Sequence, residues 1–91
     1  MSKLIVALIA CLLLVNVEEV LAQGTTEVDA AFEAAARLHQ SGDLDGAIRG
    51  YQAILSKHPE RVDVRSNLGA AFSRLGRYEE AIAQYKQALA Q

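Results

Sequence analysis

Apolar residues recur at helical spacing in four segments of the chain, and short polar turns separate these segments. In the second segment one helix face would hold Leu44, Ala47, Ile48, Tyr51, Ile54 and Leu55. The same spacing predicts helices from near Glu27 to Ser41, from Leu44 to Lys57, from Val62 to Leu75 and from Tyr78 to near Ala90. The hydrophobic pattern therefore predicts an all-α chain.

Turn residues indicate where these helices end. Gly42 and Gly76 follow the first and third helices, at the position where a left-handed glycine commonly ends a helix. Asp43 is placed to cap the second helix, and Pro59 stops that helix because proline has no N–H to donate. Short connections of two alternating kinds predict antiparallel helix hairpins that stack side by side.

The second half of the chain repeats the first half with a period of 34 residues. The segment GDLDGAIRGYQAIL, residues 42–55, returns as GRYEEAIAQYKQAL, residues 76–89. Without a gap, this shift pairs Val28 with Val62, Asp29 with Asp63, Ala36 with Ala70, Gly42 with Gly76, Ala47 with Ala81, Ile48 with Ile82, Tyr51 with Tyr85 and Leu55 with Leu89. A fixed period of this length with two helices in each unit indicates a stacked helical repeat.

The repeated positions resemble the consensus of the tetratricopeptide repeat family. The residues that resemble it are Leu68, Gly69, Phe72, Gly76, Tyr78, Ala81, Tyr85 and Ala88, and one repeat earlier Ala35, Leu38, Gly42, Leu44, Ala47, Tyr51 and Pro59. The resemblance implies an α-solenoid of two antiparallel hairpins, a segment of a right-handed superhelix, with repeats over 28–61 and 62–91. We expect an apolar leader helix before the repeats. We expect the second repeat to be truncated at its C-terminal end, because the sequence reaches Gln91 without a helix-ending turn equivalent to that at Pro59.

Side-chain size gives the resemblance a physical meaning. Small residues at positions 35, 47, 69 and 81 would let paired helices approach closely, and Tyr51 and Tyr85 would fill the space between repeats. Ala31 and Arg65 stand where the family often has tryptophan. Gly50 lies in mid-helix, at a cost of about 0.5–1 kcal/mol relative to alanine. The sequence therefore predicts that Gly50→Ala raises the melting temperature.

The family resemblance also implies a partner-binding groove, since the first helix of each repeat lines a concave surface. The inferred groove residues are Phe32, Glu33, Ala36, His39, Gln40, Ser66, Asn67, Ala70, Ser73 and Arg74. Asn67 has two interpretations: it hydrogen-bonds the backbone of a bound peptide, or it bonds only its neighbouring helix. Asp29, Glu33 and Asp63 near one end and Arg74 further along indicate an extended peptide of mixed charge.

The first 22 residues have the pattern of a secretory signal peptide. Lys3 precedes an apolar run from Leu4 to Val17, and Ala22 ends a sequence suited to cleavage. The run has about 14 apolar residues, fewer than the roughly 20 of a membrane span, so an uncleaved anchor is the alternative. Lipidation at Cys11 is a further alternative. Residues 23–27 are a linker in this interpretation.

The charge distribution and the spacing of polar residues argue against several classes of function. From Gln23 onward the chain has eight Lys and Arg and nine Asp and Glu, a net charge of −1 with the signs interspersed. No basic stripe for nucleic acid or anionic lipid is visible. His39, Ser41 and Asp43 straddle a helix end and do not form a plausible catalytic triad. His39 and His58 lack the spacing of zinc ligands, so neither metal nor cofactor is expected.

These observations favour an exported, non-catalytic module, periplasmic or secreted, that binds a protein or peptide in its groove. Two alternatives remain open from the sequence. The repeats could be an N-terminal or accessory fragment of a larger envelope enzyme, or a structural repeat that self-assembles through its open ends into a homo-oligomer. Contact with a membrane is expected only through the leader, if it is retained or lipidated.

Overall fold

The computed structural model describes residues 27–91, so the predicted signal peptide, Cys11 and all of the linker but residue 27 lie outside the described residues. Four helices occupy this range, and no strand occurs in it: α1 spans residues 27–41, α2 Leu44–Lys57, α3 Val62–Arg74 and α4 Tyr78–Leu89. The all-α prediction is confirmed. Leu75 and Ala90 are C-caps, so α3 and α4 each end one residue earlier than predicted.

Both hairpin turns begin with the same helix-ending motif. Gly42 and Gly76 have φ values of 93° and 78°, in the left-handed region. The N–H of Asp43 donates to the Leu38 carbonyl, and the N–H of Arg77 donates to the carbonyl five residues before it, each at 2.9 Å. This is the Schellman pattern, and it satisfies carbonyl groups that the helix end leaves unpaired. The Asp43 carboxylate then accepts from the N–H of Gly46 at 3.0 Å, which confirms the predicted N-cap of α2.

Contacts across α3 and α4 establish that these two helices are antiparallel. Arg65 on α3 hydrogen-bonds Gln87 on α4, and Gly69, one turn later on α3, lies against the ring of Tyr85, which is earlier on α4. A β-carbon on Gly69 would lie 2.8 Å from the nearest ring atom of Tyr85. The glycine therefore permits the close approach of α3 and α4 that the sequence predicts.

Most of the buried apolar residues in the described part of the chain lie on α2 and α3, the two helices that meet where the repeats join. The buried apolar residues are Ala35, Ala47, Ile48, Tyr51, Ile54, Leu55, Val64, Leu68, Ala71, Phe72 and Ala81. Tyr51 is completely buried, as predicted, and its ring lies 6.0 Å from that of Phe32 on α1. The second hairpin packs against the first through α3, which contacts α2.

Tyr85 differs from the expectation that it occupies the core like Tyr51. One face of its ring covers Gly69, but 38% of the residue is exposed. The reason is that α3 covers the apolar face of α2, whereas no described helix covers the equivalent face of α4.

Gly50 also differs from its sequence interpretation. A β-carbon at this position would lie 2.9 Å from the β-carbon of Ala35 on α1, which is closer than two such atoms can approach without movement of the helices. The glycine therefore sets the spacing of the first hairpin. This contact argues against the expectation that Gly50→Ala is stabilising, which considered only helix propensity.

Arg65 fills the position at which the family often has tryptophan in the second repeat. Its guanidinium donates to the side-chain oxygens of Gln84 and Gln87 at 3.1 and 2.7 Å, and to the Pro59 carbonyl at 3.1 Å. The side chain therefore joins α4 to the turn between α2 and α3. Its Nε atom is buried without a partner in the described residues. In the first repeat the equivalent residue is Ala31, which leaves this space open.

A candidate partner-binding face between α1 and α3

Helices α1 and α3 lie side by side, and an arginine joins them near each end. Near their N-terminal ends, the Arg61 guanidinium lies 3.8 Å from the Asp29 carboxylate of α1. At their C-terminal ends, Nη1 of Arg74 donates to the carbonyl of His39 at 2.7 Å. The second contact places a positive charge at the negative end of the α1 dipole. Since the N-terminal ends of α1 and α3 lie together and their C-terminal ends also lie together, the two helices are parallel.

Tyr51 of α2 forms the floor between these helices. Its hydroxyl lies 3.1 Å from Nδ1 of His39 on α1, and the two rings meet edge to face. Burial raises the pKa of Tyr51, and the Asn67 side chain of α3 acts in the opposite direction. The buried hydroxyl therefore faces polar side chains of both flanking helices.

Six of the predicted groove residues form the outer surface above this floor, which we call the α1–α3 face. Its members are Glu33, Ala36, Gln40, Ser66, Ala70 and Ser73. Glu33 and Gln40 are exposed, and the other four are partly buried. Four of the six side chains are alanine or serine, so the face has little side-chain bulk and retains hydroxyl, amide and carboxylate groups that can hydrogen-bond a peptide.

The other four predicted groove residues have contacts within the chain. Phe32 packs against the core, His39 lies within hydrogen-bond distance of the Tyr51 hydroxyl, and Arg74 caps α1. The Asn67 side chain lies close enough to Tyr51 to lower its pKa, so it faces a neighbouring helix. These residues shape and support the face, so a substitution at any of them would alter the fold as well as the surface.

Arg61 is a residue of this region that the sequence analysis missed. It donates two hydrogen bonds to the Asp63 carboxylate, at 2.9 and 2.8 Å, and its guanidinium lies 5.8 Å from the centre of the Phe32 ring. The hydrogen bond from Arg61 is the main reason that the pKa of Asp63 is lowered. The acidic end predicted for the groove is therefore largely compensated. An arginine two residues before an aspartate at a helix start is the signal that could have revealed it.

A second concave surface lies elsewhere, between α1 and α2. This α1–α2 groove has a volume of about 600 Å³, and its lining includes Ala31, Ala34, Leu38, Gly50 and Ala53. None of the ten predicted groove residues contributes to it. The chain thus has two distinct candidate surfaces, one of which was not anticipated.

The residues once considered for catalysis have structural contacts. The Ser41 hydroxyl donates to the Leu38 carbonyl at 2.9 Å, and Asp43 caps α2. Within residues 27–91, no group of three or more His, Cys, Asp or Glu side chains is arranged to hold a metal ion. In the same part of the chain, every helix is too short or too polar to cross a membrane.

Protonation of His39 gives a testable pH dependence. Burial, and secondarily the charge of Arg74, lower the pKa of His39 from its ordinary value of 6.5. The unfolded chain therefore takes up the proton first. We expect the free energy of unfolding to be highest above pH 6.5 and to fall as the pH drops from 6.5 through the lowered pKa.

Urea denaturation between about pH 7.5 and about pH 5 measures this slope. In His39→Gln, the part of the pH dependence of the free energy of unfolding that is due to His39 should disappear. His58→Gln is the matched control, because His58 is the C-cap of α2 and lies outside the contact between His39 and Tyr51, and it should keep the slope. An unchanged slope in His39→Gln would assign the pH dependence to another group.

Comparison with known proteins places these helices in a family. A family model described as tetratricopeptide repeat matches residues 31–91, that is, from the second turn of α1 to Gln91. No curated protein matches the chain.

Proposed function

The chain belongs to the tetratricopeptide repeat family, and we propose that it binds an extended segment of a partner protein on the α1–α3 face. Repeats of this family generally serve in protein–protein interaction, which supports a protein partner at a coarse level. The binding of a peptide, and its location on this face, are our proposal.

The observation that supports this location best is the parallel arrangement of α1 and α3. Arg61 and Arg74 fix the two helices near both ends, so the surface between them is organised before any partner arrives. Preorganisation lowers the entropy lost on binding. An extended backbone lying along the face would meet the hydroxyls of Ser66 and Ser73 and the amide of Gln40.

The proposed partner segment has mixed charge. Glu33 on the face favours a basic group, and the arginines at the two ends of the helices favour acidic groups at the ends of the segment. Since Asp29 and Asp63 already neutralise part of the charge of Arg61, the C-terminal end near Arg74 is the more favourable place for an acid.

We also propose that the protein is exported and does no catalysis of its own. The signal-peptide pattern of residues 1–22 supports export, to the periplasm or the medium. The structural use of Ser41 and Asp43 at a helix turn supports a non-catalytic role for these residues.

Recovery of partners by the full chain, tagged at its C-terminus in its native host, tests the proposal. Ala70→Arg should abolish recovery, because it places a long charged side chain on the small surface of the face. Ala83→Arg, at an exposed position of α4 outside both proposed surfaces, is the matched control and should recover the same proteins, since the equivalent residue of α2 is Arg49. Retention of recovery in Ala70→Arg would refute the proposed location.

The choice of these variants follows from the contacts. Phe32→Ala and Asn67→Ala are poor tests, because both residues have contacts within the chain. Circular dichroism of both arginine variants should match the wild type, so that a binding loss is separated from unfolding.

A further inference from the structure

An apolar stripe on α4 lies exposed, although its equivalent on α2 is covered. The α4 stripe consists of Tyr78, Ile82, Tyr85 and Leu89. Shifted by 34 residues, these positions are Leu44, Ile48, Tyr51 and Leu55. Leu89 is 87% exposed whereas Leu55 is 8% exposed, because α3 packs on the α2 stripe. An isolated exposed leucine is ordinary, but four large apolar residues on one face of a helix mark an interaction surface.

The element that covers the α2 stripe identifies the chemistry that fits the α4 stripe. Leu68 and Phe72 of α3 are each 2% exposed within this junction. By the same shift, their equivalents on α1 are Ala34 and Leu38. Both of these residues are exposed, and both line the α1–α2 groove. On α3 the side with Leu68 and Phe72 packs on the α2 stripe. The equivalent side of α1 is therefore apolar, and no helix within residues 27–91 covers it.

The two unoccupied surfaces are also complementary in size. The α1–α2 groove is lined by small residues, among them Ala31 and Ala34, where α3 carries the larger Arg65 and Leu68. The α4 stripe carries Tyr78, where α2 has the smaller Leu44. The larger side chain of the α4 stripe would therefore fit against the smaller side chains of the α1–α2 groove.

We propose that the α4 stripe of one copy packs on the outer side of α1, along the α1–α2 groove, in a second copy of this chain. The contact repeats between copies the packing of α3 on α2 within a copy. Because each copy offers both surfaces, the contact is head-to-tail and can extend to further copies. It leaves the α1–α3 face accessible, since none of the residues of that face takes part.

Cross-linking of two differently tagged full-length chains tests this arrangement. One chain carries Ala34→Cys and the other Ile82→Cys, and both carry Cys11→Ser so that the introduced thiols are the only ones. A short bis-maleimide should join the two tags. Ala83→Cys replaces Ile82→Cys in the control, because the next residue on a helix points about 100° away, and it should give no product.

Sedimentation across a concentration series provides the second readout. The wild-type chain should gain mass with concentration, and Ile82→Glu should remain monomeric with unchanged helical circular dichroism. Cross-linking of the Ile82→Cys chain to itself would indicate a symmetric contact and overturn the proposal. Equal product in the Ala83→Cys control, or a wild-type chain that stays monomeric throughout the series, would also overturn it.

Discussion

Tyr51→Ala should remove a large part of the stability of the protein and lower its melting temperature more than any other substitution that we propose. Replacement of a fully buried aromatic residue by alanine costs about 3–5 kcal/mol, and a folded part of this size has a total stability of roughly 3–10 kcal/mol. The loss includes the packing of Tyr51 on Phe32 and its hydrogen bond with His39. Thermal unfolding followed by circular dichroism measures the effect.

Tyr85→Ala is the matched control, because Tyr85 occupies the same repeat position on α4. Its partial exposure predicts a loss of about 1 kcal/mol at low protein concentration. Equal losses of stability in the two variants would contradict the difference in burial between Tyr51 on α2 and Tyr85 on α4.

Gly50→Val should be the second most damaging of these substitutions, with a loss of about 2–3 kcal/mol. Its β-carbon would meet that of Ala35 at 2.9 Å, and valine recovers little helix propensity because it is β-branched. The two helices of the first hairpin would have to separate. Chemical denaturation gives the change in free energy of unfolding.

A double-mutant cycle identifies the cause of this loss. Gly50→Ala alone should be destabilising by about 1 kcal/mol, since overpacking exceeds the gain in helix propensity. Combined with Ala35→Gly, it should cost less than the sum of the two single changes, because the colliding β-carbon is absent. Additive losses would exclude the contact with Ala35 as the cause.

The helices and turns were predictable because their signals are local. The left-handed glycines at positions 42 and 76, the cap at Asp43 and the stop at Pro59 each depend on residues a few positions apart. The burial of Tyr51 was also predictable, because the 34-residue period shows that a second hairpin follows the first.

What the sequence could not reveal depends on distances between helices. The role of Gly50 requires knowledge of how closely α1 approaches α2, and helix propensity carries no information about that approach. Arg61 and Arg74 have partners on α1, 32 and 35 residues earlier in the chain, so no local pattern indicates their contacts. The same holds for the α1–α2 groove, which exists because Ala31 leaves open a space that Arg65 fills in the second repeat.

The location of the core at the junction of the repeats has a consequence for how the protein comes apart. Among the buried apolar residues, only Ala35 and Ala81 lie outside α2 and α3. Separation of the hairpins would expose the apolar residues that α2 and α3 bury against each other, and each hairpin would keep only the contacts between its own two helices. Two repeats are fewer than the roughly three that independent stability needs. Loss of either repeat should therefore unfold the other in a single all-or-none transition, and a protease cut in the turn at Pro59 should release two unfolded fragments.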